Sequence, residues 1–276
     1  MSTEKPILLT GAAGTLGRWL RPRLIDRFGS LLSSDIVDGG ETHANETFVR
    51  CDLADGGAVD HLVAGCRAII HFGGISNEKP FMQIMNANIL GTYNVFEAAR
   101  RHGVRRIVFA SSNHAIGFHT TDTKLDALSP VRPDTFYGVS KVFGENLASL
   151  YVDKHGFDVA CLRIGSALPE PKVIRALSTW LSYPDLHQMI VACLTAPRLG
   201  LAIVYGASAN TRGWWDNGMV AHVGFNPQQN AEAYASEIMP TGVDDRDPRD
   251  PATRFQGGPF CSDGYDNPRD PDWPPR

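Results

Sequence analysis

The sequence contains no apolar run long enough to cross a membrane, which excludes a helical membrane protein. It also lacks a signal-peptide stretch. Met1 to Pro6 is polar and runs directly into a strand-like segment, so a cytoplasmic protein without a leader is expected. No two cysteines stand at C-x-x-C spacing. The five present (Cys51, Cys66, Cys161, Cys193, Cys261) are odd in number and scattered, as reduced thiols of a cytosolic protein are. Basic stripes are missing too. With 26 Lys and Arg against 30 Asp and Glu the net charge is −4, so neither nucleic acid nor an anionic membrane is an expected partner. His114 and His119 are not spaced like a helical metal pair, and no carboxylate–cysteine cluster joins them, so no metal is expected. There are no internal repeats.

What remains is a 276-residue chain, 43% hydrophobic, enough for one sizeable domain and a small annex. Ile7–Thr10 is a short apolar run. Gly11-Ala-Ala-Gly14-Thr-Leu-Gly17 follows at once, and Leu16, Leu20 and Leu24 then recur at helical spacing. This reads as strand, glycine turn, helix. Gly11 allows the tight turn, Gly14 lets a pyrophosphate approach the backbone, and Gly17 lets helix and strand pack closely. The helix start offers N–H groups and a favourable dipole to phosphates. A second strand over Ser30–Ile36 brings Asp35 to the place where an acidic residue binds the adenosine ribose hydroxyls. A 2′-phosphate there would face like charge and no nearby Arg, the next basic side chain being His43, so NAD rather than NADP is expected. Asp38 is a second candidate for this role, or a polar turn residue.

Strands are expected over Thr47–Cys51, Ala68–Phe72, Ile107–Ala110 and Val159–Ile164. Asp52 either meets the adenine or caps a helix over Gly57–Ala64. Gly73 and Gly74 follow the fourth strand and permit close approach to a ligand. His71 reads as a packed strand histidine. Phe81–Arg101 is one long helix whose buried stretch includes the polar Asn88. Together these elements predict a doubly wound α/β Rossmann fold, a parallel sheet with helices on both faces. After about Ser166 the alternation becomes irregular and suits a small substrate-binding annex. There Val173–Leu181 and Asp185–Leu194 read as helices and Leu201–Tyr205 as a strand. Trp214-Trp215-Asp216-Asn217 reads as packing. Residues 1–240 are expected to form the domain, and the Asp-, Pro- and Gly-rich stretch 241–276 an extended or partly disordered tail.

Tyr137-Gly-Val-Ser-Lys141 carries the chemistry. Residues four apart on a helix share a face. An unperturbed tyrosine titrates near ~10, and a neighbouring ammonium favours its phenolate. Such a tyrosine can take a proton from an alcohol while a hydride leaves the same carbon. Ser111, Ser112, Asn113 and His114 follow the fifth strand, at the carboxyl end where parallel sheets bind ligands.

Taken together, Thr10–Gly17, Ser111-Ser112 and Tyr137–Lys141 resemble the short-chain dehydrogenase/reductase superfamily in its epimerase/dehydratase-like branch. Further stretches are similar to the uronate dehydrogenases within it: Cys51–Asp55, Gly73–Ser76, Ile107–His114, Arg163–Ser166, Leu177–Trp180, Gly206–Asn210, Trp214–Asn217 and Arg254–Gly258. Pro259–Arg276 matches nothing in that pattern. Thr15 and Ala167 stand at positions where the pattern varies. The resemblance implies NAD-dependent oxidation of D-glucuronate or D-galacturonate at C1 to an aldaro-lactone. It implies Tyr137 as base, Lys141 as its activator and a ribose contact, and Ser112 as partner of the reacting oxygen. Gly11, Gly14, Thr15, Leu16, Gly17, Asp35, Asp52, Leu53, Phe72, Gly73, Gly74, Asn88, Lys141 and Ala167 would hold NAD. Ser76, Ser112, Asn113, His114, Ser166 and Arg175 would line the uronate site. A homo-oligomer is expected.

A uronate ring has a hemiacetal hydroxyl at C1, so loss of its proton and of the C1 hydride gives a lactone directly. Aldehyde oxidation through a thiohemiacetal would need an activated cysteine, and none of the five falls on a predicted crevice loop in that way. Two other readings compete. A sugar-nucleotide epimerase or dehydratase would share fold, NAD, Tyr137 and Lys141 but needs a larger C-terminal lobe. A non-catalytic dinucleotide sensor would have no need of Ser112, Tyr137 and Lys141 together. Arg175 is read as opening the Val173–Leu181 helix, where it could meet the substrate carboxylate.

Overall fold

Short apolar runs buried on both faces set the architecture. The computed structural model describes residues 5–270 and 272. In chain order the first half contains β1 (Ile7–Thr10), α1 (Thr15–Phe28), β2 (Leu31–Asp35), β3 (Glu46–Arg50), α2 (Gly56–Val63) and β4 (Ala68–His71). Then come α3 (Phe81–Ile84), α4 (Gly91–His102), β5 (Arg106–Ser112), α5 (Phe136–His155) and β6 (Asp158–Ile164). The rest comprises β7 (Ser166–Ala167), α6 (Ala176–Thr179), β8 (Trp180–Leu181), α7 (Tyr183–Thr195), β9 (Leu201–Gly206), α8 (Ala235–Ile238), α9 (Pro251–Arg254) and α10 (Pro259–Ser262). Seven strands form one sheet in the order β3-β2-β1-β4-β5-β6-β9, every pair parallel. This is the doubly wound fold that the alternation predicts. The order reverses between β1 and β4, and a crevice opens outside the strand ends there. Among the described residues no helix is long and apolar enough to cross a membrane.

Period-two alternation divides the core. Leu9, Ile70, Val108, Leu162 and Val204 face α1 and α7, meeting Leu20, Leu24, Leu186, Met189 and Ile190. Leu8, Ile69, Ile107, Val159 and Cys161 face the other way, toward Val59, Val95, Phe96, Ala148 and Tyr151 of α2, α4 and α5. Both faces of the sheet are therefore dry, which is why these strands read as continuous apolar runs.

The long helix expected over Phe81–Arg101 is present with an insertion. A π-helical turn, Met85–Leu90, joins α3 to α4. Such turns bring a side chain out of the regular helical face and recur at functional sites. Here the residue presented is Asn88.

The second half departs further from expectation. Val173–Leu181 is not one helix: α6 spans Ala176–Thr179 only, and Trp180–Leu181 pairs with Ser166–Ala167. The indole N–H of Trp180 donates to the Leu168 carbonyl at 2.8 Å, which draws the chain out of the helix. Of the tail expected from Thr241, the part from Asp250 to Ser262 packs on the body, while 271 and 273–276 lie outside the described residues. Asp250 caps α9 by accepting from Ala252 N at 2.8 Å, and the buried Gln256 donates to the Thr120 and Thr123 carbonyls at 3.0 and 2.8 Å.

Beneath the ends of β5 and β6 lies a buried ion pair. Arg163 holds Glu145 in a fork, with Nε and Nη2 bonds of 2.9 and 2.8 Å, and donates to the Tyr205 hydroxyl at 2.9 Å. Ser111 Oγ donates to the same carboxylate at 2.6 Å. Glu145→Ala would strand a desolvated guanidinium, at a cost of about 3–5 kcal/mol. Thermal and denaturant unfolding should show a loss of that size, and a loss under ~1 kcal/mol would mean that the pair is not buried as described.

Candidate active site

The crevice over the sheet's switch point encloses about 560 Å³. Its walls bring together Gly11, Gly14, Thr15, Leu16, Gly17, Asp35, Asp52, Leu53, Phe72, Gly73, Gly74 and Ser76, all expected from the sequence. Two glycines are required on steric grounds. Gly11 has φ +72°, and a Cβ there would sit 2.6 Å from the Phe72 carbonyl carbon. A Cβ on Gly17 would overlap the Gly11 carbonyl oxygen. Helix α1 begins at Thr15 with no side-chain cap and no acidic residue in its first turn. Its N–H groups and dipole thus face the crevice without competition, a fit for pyrophosphate. Asp35 accepts from Ala13 N at 2.9 Å and Val37 N at 3.3 Å, which fixes its carboxylate at the end of β2. The residues present therefore fit a dinucleotide.

At this end the structure chooses between the alternatives for Asp52 and Asp38 and changes the reading of the arginines and of Cys51. Asp52 is not the cap of α2; Asp55 is, accepting from Gly57 N and Ala58 N, while Asp52 lines the crevice. Basic side chains do approach the end of β2. Arg50 stands opposite Asp35 in register and donates to the Ile36 carbonyl at 3.3 Å, and Arg18 donates to the Ala13 and Gly39 carbonyls at 2.7 and 3.2 Å. Cys51 lines the crevice too, but burial first, then Asp55 and Asp52, push its thiol up, so it is not an activated nucleophile. Asp38 is a turn residue, accepting from Gly40 N at 2.9 Å.

The Gly73–Gly74 turn is held from behind. Gly73 N donates to Thr10 Oγ1 at 3.0 Å, Thr10 Oγ1 meets His71 Nδ1 at 2.8 Å, and His71 Nε2 meets Thr92 Oγ1 at 3.1 Å. Burial, with the Lys141 cation adding to it, pushes the His71 imidazole down to about 3, so it is a neutral packed histidine. Asn88 clasps Ile75 through both backbone groups at 2.8 and 2.9 Å and donates to Ser140 Oγ at 3.0 Å.

Ser112, Tyr137 and Lys141 converge where β5 ends against the start of α5. Thr135 caps α5 by accepting from Gly138 N at 3.0 Å, and Glu78 accepts from Tyr137 N at 2.8 Å. The Lys141 ammonium donates to the Ala110 carbonyl at 2.8 Å and lies 5.3 Å from the Tyr137 ring centre. Burial holds Lys141 down to about 8. Burial also pushes the Tyr137 phenol up to about 12; the Ser112 hydroxyl bonded to it pulls the other way, and Asp134 adds to the rise. A phenol already lowered by its lysine is therefore not what the resting site holds. Both groups have lost their water, which disfavours the charged form of each.

Beyond Tyr137 lie the other expected residues. Asn113 and His114 form a 3-10 turn after β5. His114 Nδ1 meets Asp134 Oδ2 at 2.7 Å, and its ring stacks on Phe260 with centres 4.0 Å apart. Ser166 Oγ bonds Thr179 Oγ1 at 2.8 Å and accepts from Arg175 Nη1 at 3.3 Å. Ala167 follows in β7, opposite Leu181. Arg175 does not open a long helix. Its guanidinium donates to the Gln256 carbonyl from Nε at 2.9 Å and from Nη2 at 2.5 Å. With its amide oriented so that donors meet acceptors, Asn113 accepts from Arg175 Nη2 at 2.7 Å and donates to the Ile164 carbonyl at 3.0 Å. No carboxylate among the described residues pairs with Arg175, and burial pushes the guanidinium down to about 10. Asp134, Gln256 and Phe260 were missed in the sequence. Arg254–Gly258 was a signal for Gln256, but nothing local pointed to Phe260. Trp215 is packing, as read: it stacks on Tyr205 and donates to Gln256 Oε1 at 2.8 Å.

Residues 7–171 match the model of the NAD dependent epimerase/dehydratase family. A uronate dehydrogenase of Agrobacterium fabrum is 51% identical over 264 residues, 96% of this chain and 98% of that protein. A mutant uronate dehydrogenase from Agrobacterium tumefaciens, solved in complex with NAD, is 50% identical with a TM-score of 0.90, covering 96% of this chain and 98% of the other. A dTDP-glucose 4,6-dehydratase of Streptomyces niveus is 30% identical over only 62% of this chain and 48% of its own length. The chain belongs to the NAD-dependent epimerase/dehydratase family and, within it, to the uronate dehydrogenases, which are NAD-dependent oxidoreductases.

Proposed function

We propose that the protein oxidises a free hexuronate, D-glucuronate or D-galacturonate, at C1 and releases the aldaro-lactone. One observation carries the choice of substrate. A half-buried guanidinium, Arg175, lies near the Ser112–Tyr137–Lys141 group with no carboxylate partner among the described residues. Asp134 acts on it only through space, without a direct ion pair, and a substrate carboxylate would supply that pair in the forked geometry that arginine prefers. Ser166 and Asn113 are placed to add neutral hydrogen bonds to the same ligand.

When bound, NAD accepts the hydride leaving C1. The chain's own residues do the rest. Tyr137, deprotonated, takes the proton of the C1 hydroxyl. Ser112 donates its single hydroxyl proton to the same oxygen. Lys141 is an ammonium below about 8 and stabilises the phenolate once it forms. C1–H and O–H break, the C1 carbonyl forms, and the ring oxygen stays in place, so the product is a lactone. The sugar-nucleotide reading has less support, since similarity to such an enzyme covers only 62% of this chain and 48% of that one. Incubation with glucuronate and NAD, with the product identified by NMR before it hydrolyses, tests the reading: the 1,5-lactone is expected, and the open-chain diacid as first product would refute it.

Five unpaired cysteines suit a reducing cytoplasm. Apolar side chains exposed on or beside α4 and α5, Leu90, Tyr93, Phe136 and Val139, favour assembly into a homo-oligomer.

Asp35 would accept the adenosine ribose hydroxyls and repel a 2′-phosphate. Asp35→Ser removes that charge while Arg18 and Arg50 stay nearby. The ratio of NAD to NADP kcat/KM should fall by roughly tenfold or more. An unchanged ratio would place cofactor choice elsewhere.

A further inference from the structure

The reaction proposed above makes no use of Asp134, yet the fold builds a pocket for it. Its side chain is 0% exposed. Oδ2 meets His114 Nδ1 at 2.7 Å, and Oδ1 accepts from Thr135 Oγ1 at 3.0 Å. Three separate segments leave space around it. A Cβ on Gly117 or Gly257 would overlap Oδ2, and one on Gly138 would lie 3.1 Å from Oδ1. Cys261 Sγ closes the pocket at 3.8 Å. Gly257 and Cys261 belong to the C-terminal stretch, so its fold over the site is part of this arrangement. Capping does not account for Asp134, because Thr135 caps α5.

The partner of this carboxylate is held on every side but one. Phe260 stacks on the His114 ring at 4.0 Å and 17°, and Tyr137 meets its edge at 5.7 Å. These contacts fix the ring plane. Asp134 fixes which nitrogen faces inward. A carboxylate only accepts, so Nδ1 carries a proton. No described residue bonds Nε2, and the side chain keeps 14% of its surface exposed on the site.

We infer that Asp134 is a positioning residue that sets the plane and tautomer of His114, so that Nε2 accepts a ring hydroxyl of the bound sugar acid. The inference rests on the reading that His114 lines the sugar site. Orientation by a buried carboxylate is worth far more than the carboxylate's own contacts, since the wrong tautomer presents a donor where an acceptor is needed. Asparagine at this position is nearly isosteric but can offer Nδ1 an N–H and so reverse the tautomer.

A double-mutant cycle tests this, using Asp134→Asn, His114→Ala and the pair in the full-length protein. Steady-state kinetics with glucuronate and with NAD, and melting curves, are read for all four proteins. Asp134→Asn should lower kcat/KM for glucuronate tenfold or more while KM for NAD stays within about twofold. In the His114→Ala background the same change should cost less than twofold. A merely structural role predicts the reverse: equal loss in both backgrounds, and loss toward NAD as well. That outcome, or wild-type kinetics for Asp134→Asn, overturns the inference. If His114→Ala alone leaves glucuronate kinetics unchanged, the sugar-site assignment fails and the inference with it. Should Asp134→Asn not fold, Gly257→Ala presses on the same carboxylate from the C-terminal side, with the same expected pattern and the same refutation.

Discussion

Tyr137→Phe should lower kcat for glucuronate oxidation by at least about a hundredfold, the usual cost of losing a positioned acid–base group. The ring is buried against His114 and Phe260, and phenylalanine keeps that packing. Binding of NAD and thermal stability should therefore change little. The pH dependence sharpens the test. In the resting protein burial pushes the phenol up to about 12, so the deprotonated form required of a base is scarce at neutral pH. Wild-type kcat should accordingly climb as pH rises toward about 8, and the climb should be blunted above that, where Lys141 loses its charge. The residual rate of Tyr137→Phe should lack that limb. Retention of near-normal turnover, or of the same pH slope, would remove Tyr137 from the role of base.

The second large effect is expected at Arg175. Its guanidinium bonds Ser166, Asn113 and the Gln256 carbonyl, all neutral partners, and no carboxylate among the described residues forms an ion pair with it, Asp134 acting only through space. Charge-assisted hydrogen bonds to a substrate carboxylate are worth roughly 1.5–3 kcal/mol. Arg175→Ala should therefore lower kcat/KM for glucuronate by about 10- to 150-fold, chiefly through KM. Arg175→Lys should recover only part, because a point charge cannot reproduce the fork. Glucose has no carboxylate. It should be a poor substrate for the parent and should lose little in the variant. Equal losses for glucose and glucuronate would show that Arg175 only braces the C-terminal segment.

These two residues differ in how far the sequence alone reveals them. Tyr137 and Lys141 sit one helical turn apart in a local motif, and β5 supplies Ser112 within the same alternating pattern. The glycine loop is also local, since Gly11 and Gly17 answer to sterics within a single strand–turn–helix unit. That is why the sheet and most of the crevice were legible. Arg175 was placed in the right neighbourhood for the wrong reason. Its apolar neighbours Ala176, Leu177, Trp180 and Leu181 are all buried, so their pattern contains no helical stripe to define a length, and β7–β8 pairing ends the helix after one turn.

The C-terminal stretch misled through its composition. Its Asp, Pro and Gly residues resemble those of a disordered segment, yet here they cap, turn and make room. Asp250 caps α9, Arg254 pairs with Asp270, and Gly258, at φ +67°, leaves space for the Arg175 side chain. None of these contacts is local enough to show in spacing. The arginines near Asp35 illustrate the same point. Arg50 is far from Asp35 along the chain but directly opposite it in the parallel register.

The central claim is that a free uronate, not a sugar nucleotide, gives up its C1 hydride for good. One measurement tests it most directly: the purified protein is mixed with excess NAD and a limiting, known amount of D-glucuronate, and absorbance at 340 nm is followed to completion. One NADH per glucuronate is expected, with the lactone as the matching product. No NADH from glucuronate, together with turnover of a sugar nucleotide that leaves added NAD unreduced, would contradict it.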